Sequence, residues 1–156
     1  LALIKALHED KIDIIATDHA PHTLSEKNQP YLGSLSGGPL VQHALPALFE
    51  LYHDGLLTLE QLVQKTSHNV AELYRMKDRG YLREGYYADL VLININAPWE
   101  VATDNILSKC AWSPFTGQTF RSSIEKTFVN GNLVYDSGKI NHTTTGKRLT
   151  FEKHRF

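Results

Sequence analysis

Cysteine is almost absent from this sequence. Cys110 is the only one among 156 residues. A chain with one cysteine forms no internal disulfide, which is typical of a reducing compartment, so we expect a cytoplasmic location. No apolar run approaches the roughly 20 residues that cross a bilayer. Residues 1–8 contain no basic leader, so the sequence predicts neither membrane insertion nor a signal peptide.

An excess of charge of either sign is also missing. The chain has 16 Lys and Arg against 17 Asp and Glu, for a formal net charge of -1. A balanced chain lacks the basic surface that binds nucleic acid or anionic lipid, so we expect neither as a partner. The composition, 42% hydrophobic and 21% charged, is that of a globular protein and argues against disorder.

Several familiar site motifs do not occur. The sequence has no P-loop, no Rossmann glycine fingerprint and no H-E-x-x-H zinc motif. The glycines of Gly37-Gly38-Pro39 could present backbone amides to an anion, although turn formation explains them at least as well. We assign no metal to the histidines outside residues 19–22, which lie at positions 8, 43, 53, 68, 142 and 154 without close pairing.

Helical spacing of apolar residues dominates the first half of the chain. Pro46 should either kink a helix or mark its true start. Thr58 and Gln61 form a plausible capping box, and Asn69 is expected to cap the short helix that follows. The predicted helices are residues 1–8, 39–52, 58–65 and a short one after Asn69.

Strand signals dominate the second half. The Asn130-Gly131 pair lies between two apolar runs and predicts a hairpin, because both residues tolerate positive φ. A further strand is expected earlier, where β-branched residues run up to Asp18. The predicted strands are residues 12–17, 88–95, 126–129 and 133–135.

The sequence therefore divides into an α/β part at residues 1–80, a small β part at 81–140 and a polar tail at 141–156. Neither of the first two parts has enough strands to bury a core alone. The chain opens without Met inside an apolar-periodic run, so we expect a piece of a longer protein.

Asp18 and His22 are the candidate site residues. Asp18 follows the apolar run at 12–17, and a carboxylate at the carboxyl end of a buried strand can bind a metal or carry a proton. His22 follows Pro21, which restricts where the imidazole points. His19 is expected to pack against Asp18 or to hydrogen-bond with it. A turn-forming Asp18 and a surface His22 stay open as alternatives.

The run TDHAPH at residues 17–22 resembles the segment after the eighth barrel strand of dihydroorotases, in the cyclic amidohydrolase superfamily. The resemblance continues over most of the chain. Similar segments lie at residues 77–80, 84–85, 88–91, 108–117, 128–131, 133–135 and 146–151. Members of the family often carry a glutamate in the helix start where this chain has residues 38–43 without one, so we name no substrate contacts in the loop at 23–38.

The resemblance implies an α/β fold: the C-terminal end of a TIM-type (β/α)8 metal-dependent hydrolase barrel plus part of a small composite β-sandwich. It implies reversible hydrolysis of the cyclic amide of dihydroorotate to carbamoyl-aspartate, in pyrimidine synthesis. Asp18 would bind zinc and carry the proton, and His22 would bind the substrate carboxylate. One or two zinc ions are implied, with the other ligands upstream of Leu1. Because most ligands and barrel strands would then be missing, the isolated 156 residues are expected to be inactive and to bind zinc poorly.

Two other functions remain open at this stage. One is a non-catalytic scaffold that keeps the fold and binds another protein, although the presence of Asp18 argues against it. The other is a hydantoinase or dihydropyrimidinase, whose substrates lack the carboxylate and whose motif lacks the counterpart of His22. We expect a small-molecule substrate, and either a homo-oligomer or association with a missing N-terminal part.

Overall fold

The computed structural model describes residues 2–153. Contacts divide them into two compact units. The first unit contains residues 2–15, 54–94 and 124–153, and the second contains residues 16–53 and 95–123. The mixture of helix and strand agrees with the α/β class expected from the sequence. No helix within residues 2–153 is long and apolar enough to cross a membrane.

Five α-helices occur in the described residues, and all lie in the first half of the chain. They are α1 (Ala2–His8), α2 (Leu24–Lys27), α3 (Ala44–His53), α4 (Leu59–Val63) and α5 (Asn69–Leu73). A π-helix at Gln64–His68 joins α4 to α5, and a short 3-10 helix lies at Thr103–Asn105.

The predicted helix starts are partly confirmed. Pro46 lies in the first turn of α3, where its missing amide proton removes no helical hydrogen bond, so it marks the start and does not kink the helix. The capping box of α4 is present, because Thr58 and Gln61 each bond the backbone N–H of the other.

The predicted cap at Asn69 is wrong. The π-helix runs directly into α5, so no free helix start exists there, and the Asn69 side chain instead donates to the Asp13 carbonyl oxygen at 2.7 Å. The same π-helix buries Lys65, which is 3% exposed. Lys65 Nζ donates to Asp10 and to the Ile12 carbonyl oxygen, both at 2.7 Å. These bonds attach the segment before Asp18 to the helix.

Six strands form two sheets. The strands are β1 (Leu90–Asn94), β2 (Trp99–Glu100), β3 (Thr119–Phe120), β4 (Ser123–Val129), β5 (Asn132–Asp136) and β6 (Lys139–Ile140). One sheet has the order β1-β4-β5-β6, and β2 pairs with β3 in the second unit. Asn130 and Gly131 have φ of 52° and 82°, which confirms the predicted hairpin between β4 and β5.

The strand predicted at residues 12–17 is wrong for this chain. The segment has no strand assignment, and in it only Ile15 N–H is recorded in a backbone hydrogen bond, to the Lys65 carbonyl oxygen in the π-helix. A β-ladder needs a neighbouring strand, and no described segment runs beside residues 12–17 to supply one. Sequence preference alone therefore does not produce the strand.

The core of the second unit is aromatic and contains one buried histidine. Val101 and Phe120 are fully buried, and His43 is 1% exposed. The His43 ring stacks near Trp99 and Phe120, with centroids 5.9 and 6.1 Å away. Its Nδ1 lies 3.1 Å from the Ser113 hydroxyl, whereas no described residue hydrogen-bonds its Nε2. Burial therefore lowers the pKa of His43.

Stability should fall in acid because of His43. Since its pKa is lower in the folded than in the unfolded state, the unfolded chain binds the proton more readily. Above about pH 6.5 the unfolded chain has no protonated histidine at position 43 to favour it, so the free energy of unfolding is at its full value. Below that pH the free energy of unfolding falls, by at most about 1.4 kcal/mol per pH unit. Thermal unfolding between pH 5 and 8 measures this, and His43→Phe should flatten the profile. An equally steep profile in the variant would contradict the assignment.

Candidate functional site

Asp18 has a strained backbone and an exposed side chain. Its φ is 46°, a left-handed conformation that residues other than glycine rarely adopt. The carboxylate makes no hydrogen bond or ion pair with any residue in the described range 2–153. Strain of this kind persists only where neighbouring structure imposes it, and it is common at functional sites. Asp18 therefore presents an uncommitted carboxylate held at a fixed point of the chain.

His22 contacts Trp112 through its backbone and Glu26 through its ring. Trp112 Nε1–H donates to the His22 carbonyl oxygen at 2.7 Å. On the other side, His22 Nδ1 lies 3.9 Å from Glu26 Oε2, and the imidazole is 31% exposed. The ring is thus partly sheltered but still reachable by a small molecule.

The segment between Asp18 and His22 is held against the glycine pair. Ala20 N–H donates to the Gly38 carbonyl oxygen at 3.1 Å, and residues 19 and 38 form an isolated parallel bridge. Gly37 has a φ of 93°, and a Cβ there would lie 2.5 Å from the Ala20 Cβ. The glycine at position 37 thus allows its backbone to lie close to Ala20. This supports turn formation, one of the two roles that the sequence left open for the glycine pair.

Of the two roles expected for His19, the hydrogen bond with Asp18 is not formed, and packing against Asp18 stays a prediction. Its Nδ1 accepts a hydrogen bond from the Val41 N–H at 3.2 Å, and no hydrogen bond to Asp18 occurs within residues 2–153. His19 therefore anchors the segment to the residues that precede α3.

The loop at residues 23–38 is stabilised by hydrogen bonds between its own residues. Thr23 caps α2, with Glu26 in the complementary position of a capping box. Lys27 Nζ donates to the carbonyl oxygens of Leu35 and Gly37, the latter at 2.9 Å. These bonds hold the two ends of the loop together beside His22.

Sequence reasoning missed two side chains that contact His22. Glu26 was detectable, because Thr23 and Glu26 have the spacing of a capping box. Trp112 was not, because it lies 90 residues further along the chain and no local pattern links it to His22.

A metal ion does not fit the described residues by themselves. Within residues 2–153, no group of three or more His, Cys, Asp or Glu side chains could hold one. A structural or catalytic zinc site takes three or four protein ligands. Asp18 can supply one carboxylate to such a site, and His22 lies beside Glu26 instead of beside a second ligand.

Comparison with known proteins identifies the family. The model of the amidohydrolase family matches residues 1–134. The match covers most of the sequence and includes Asp18 and His22. The chain therefore belongs to the amidohydrolase family.

Proteins of similar sequence include dihydroorotases. The chain is 36% identical to a dihydroorotase of Wolbachia over 135 residues, which is 86% of this chain and 30% of the relative. It is 37% identical to a dihydroorotase of Clostridium acetobutylicum over 136 residues, which is 86% of this chain and 32% of the relative. The chain thus spans about a third of the length of these relatives.

Solved structures share the fold. An L-hydantoinase (dihydropyrimidinase) from Arthrobacter aurescens matches 89% of this chain and 32% of its own, with a TM-score of 0.83 and 25% identity. A D-hydantoinase from a Thermus species matches 90% and 32%, with a TM-score of 0.80 and 20% identity. The arrangement of helices and strands described above is therefore an amidohydrolase arrangement.

Proposed function

We propose that the protein carrying this chain is a dihydroorotase, which reversibly hydrolyses the ring amide of dihydroorotate to carbamoyl-aspartate. The observation that carries the proposal is the pair of Asp18 and His22, an uncommitted carboxylate four residues from a partly exposed imidazole. Dihydroorotases among the relatives of this chain support the choice within the family.

Asp18 is proposed to carry the proton of the reaction. An attacking water must lose a proton as its oxygen bonds to the amide carbon, and the ring nitrogen must gain one as the C–N bond breaks. A single carboxylate can accept the first proton and deliver it to the nitrogen. Its lack of protein partners within residues 2–153 leaves its oxygens available for both transfers.

His22 is proposed to bind the carboxylate attached to the ring. A hydrogen bond between an imidazolium and a carboxylate is charge-assisted and contributes about 1.5–3 kcal/mol. Trp112 holds the backbone carbonyl oxygen of His22, and Glu26 lies 3.9 Å from Nδ1 of the ring. This contact would favour dihydroorotate over ring amides that lack a carboxylate.

The remaining architecture is also proposed by resemblance to the family. Residues 1–80 would belong to a (β/α)8 barrel, in which residues 12–17 become a strand once neighbouring strands pair with them. Residues 81–140 would form part of a composite β-sandwich, followed by the tail at 141–156. Asp18 would be one ligand of a zinc site whose other ligands are contributed from outside this chain.

The proposal is tested by comparing two substrates with the full-length protein. Dihydrouracil has the ring of dihydroorotate without the carboxylate. We expect kcat/KM for dihydroorotate to exceed that for dihydrouracil about 100-fold, in line with the loss of one charge-assisted hydrogen bond. Equal or faster turnover of dihydrouracil would indicate a hydantoinase-type enzyme. Turnover of neither substrate would indicate a non-catalytic scaffold.

A further inference from the structure

Glu26 is held in place by two hydrogen bonds from one residue. Its Oε2 accepts from the Thr23 N–H at 2.7 Å and from the Thr23 hydroxyl at 2.8 Å. These bonds lower the pKa of Glu26, so its carboxylate stays ionised at neutral pH. The same oxygen lies 3.9 Å from His22 Nδ1. An ionised carboxylate therefore lies within ion-pair distance of the imidazole.

The arrangement leaves one nitrogen of His22 available. Nδ1 faces Glu26, and no residue in the described part of the chain forms a hydrogen bond with Nε2. Ring nitrogens are distinct, and a carboxylate beside one of them commonly fixes the orientation of the ring and the role of the other.

We propose that Glu26 is a positioning residue, which holds His22 with Nδ1 towards its own carboxylate and Nε2 towards the carboxylate of the substrate. The inference rests on the proposed function, because it assigns His22 the substrate carboxylate. Glu26 would then favour ring amides that carry a carboxylate, although it does not touch the reacting atoms. The imidazole then lies between two carboxylates, one from the protein and one from the ligand.

A purely structural capping role makes a different prediction. The helix start requires an acceptor for the Thr23 N–H and hydroxyl, and the amide oxygen of a glutamine can accept from both. Glu26→Gln therefore preserves the cap and removes only the charge beside His22. Direct repulsion between Glu26 and the substrate would have the opposite effect on binding, because removal of the charge would then lower KM.

The experiment is steady-state hydrolysis of dihydroorotate by the full-length protein with Glu26→Gln. We expect KM to rise about fivefold to tenfold, with kcat within about twofold, because the charge-assisted hydrogen bond to the carboxylate weakens while proton transfer is unaffected. Thr23→Val, which removes the hydroxyl bond to the same carboxylate and keeps the backbone N–H bond, should raise KM in the same direction by a smaller factor. An unchanged or lowered KM in Glu26→Gln would overturn the inference.

A matched control is Glu60→Gln, in the first turn of the other helix with a threonine cap. Glu60 also has a lowered pKa, from backbone and Thr58 hydrogen bonds, but no histidine is paired with it in the described residues. The KM of the Glu60→Gln variant should equal that of the unmodified protein.

The two proposals can fail separately. If the unmodified protein does not hydrolyse dihydroorotate, the proposed function fails. If it does and Glu26→Gln has no effect, only the role of Glu26 fails.

Discussion

Asp18→Asn should lower kcat/KM for dihydroorotate about 1,000-fold or more in the full-length protein. The substitution keeps the size of the side chain, and asparagine is among the residues that best tolerate a φ of 46°. It removes the group that accepts and returns the proton, and such groups contribute about 10²–10⁴-fold to the rate. The loss should lie in kcat, because His22 still binds the substrate carboxylate.

The control for this prediction is Asp13→Asn, five residues earlier in the same segment. Asp13 is exposed, and its only recorded contact within residues 2–153 is the backbone carbonyl that accepts from Asn69. The amide side chain leaves that contact intact, so activity should stay within about twofold. A similar loss in both variants would mean that the segment, and not the carboxylate of Asp18, determines the rate.

Asp89→Ala should destabilise the protein by about 3 kcal/mol. The side chain of Arg79 is 9% exposed, and its guanidinium donates to Asp89 and to Asn130 Oδ1. Asp89 Oδ1 also accepts from the Asn130 N–H at 2.7 Å, at the turn between β4 and β5. Removing one member of a buried pair leaves the other charge uncompensated and costs about 3–5 kcal/mol. The lower value applies because the side chain of Asp89 is 34% exposed.

Thermal unfolding measures the effect of Asp89→Ala against that of Asp136→Ala. Asp136 pairs with Lys126 at 2.8 Å, but the two side chains are 44% and 38% exposed. An exposed pair contributes about 0–1 kcal/mol, so this variant should unfold within a few degrees of the unmodified protein. Asp89→Ala should unfold several degrees lower than Asp136→Ala. Equal unfolding midpoints for the two variants would show that the pair of Arg79 and Asp89 contributes no more than an exposed ion pair.

Local chemistry explains what the sequence predicted well. The hairpin at Asn130-Gly131 and the capping box of Thr58 with Gln61 each depend on residues at most three apart, and both occur as expected. Pro46 left two alternatives, and the structure selects the helix start because its amide position needs no partner there.

Interactions between distant residues explain what the sequence predicted poorly. Residues 12–17 have strand preference but no described neighbour to pair with, and the segment bonds to Lys65 in a π-helix. Asn69 has capping chemistry, yet the helix passes through it without a break. In the candidate site, Asp18 and His22 were visible as a motif, whereas the contact of Trp112 with His22 joins residues 90 apart.

The most direct test is the crystal structure of the full-length Asp18→Asn variant with dihydroorotate bound. Because the variant should turn over slowly, the substrate should remain in the site. The account predicts that His22 Nε2 lies about 2.7–3.0 Å from an oxygen of the carboxylate, and that the side chain at position 18 faces the ring amide. A carboxylate held by other residues, with His22 and position 18 facing away from the ligand, would contradict it.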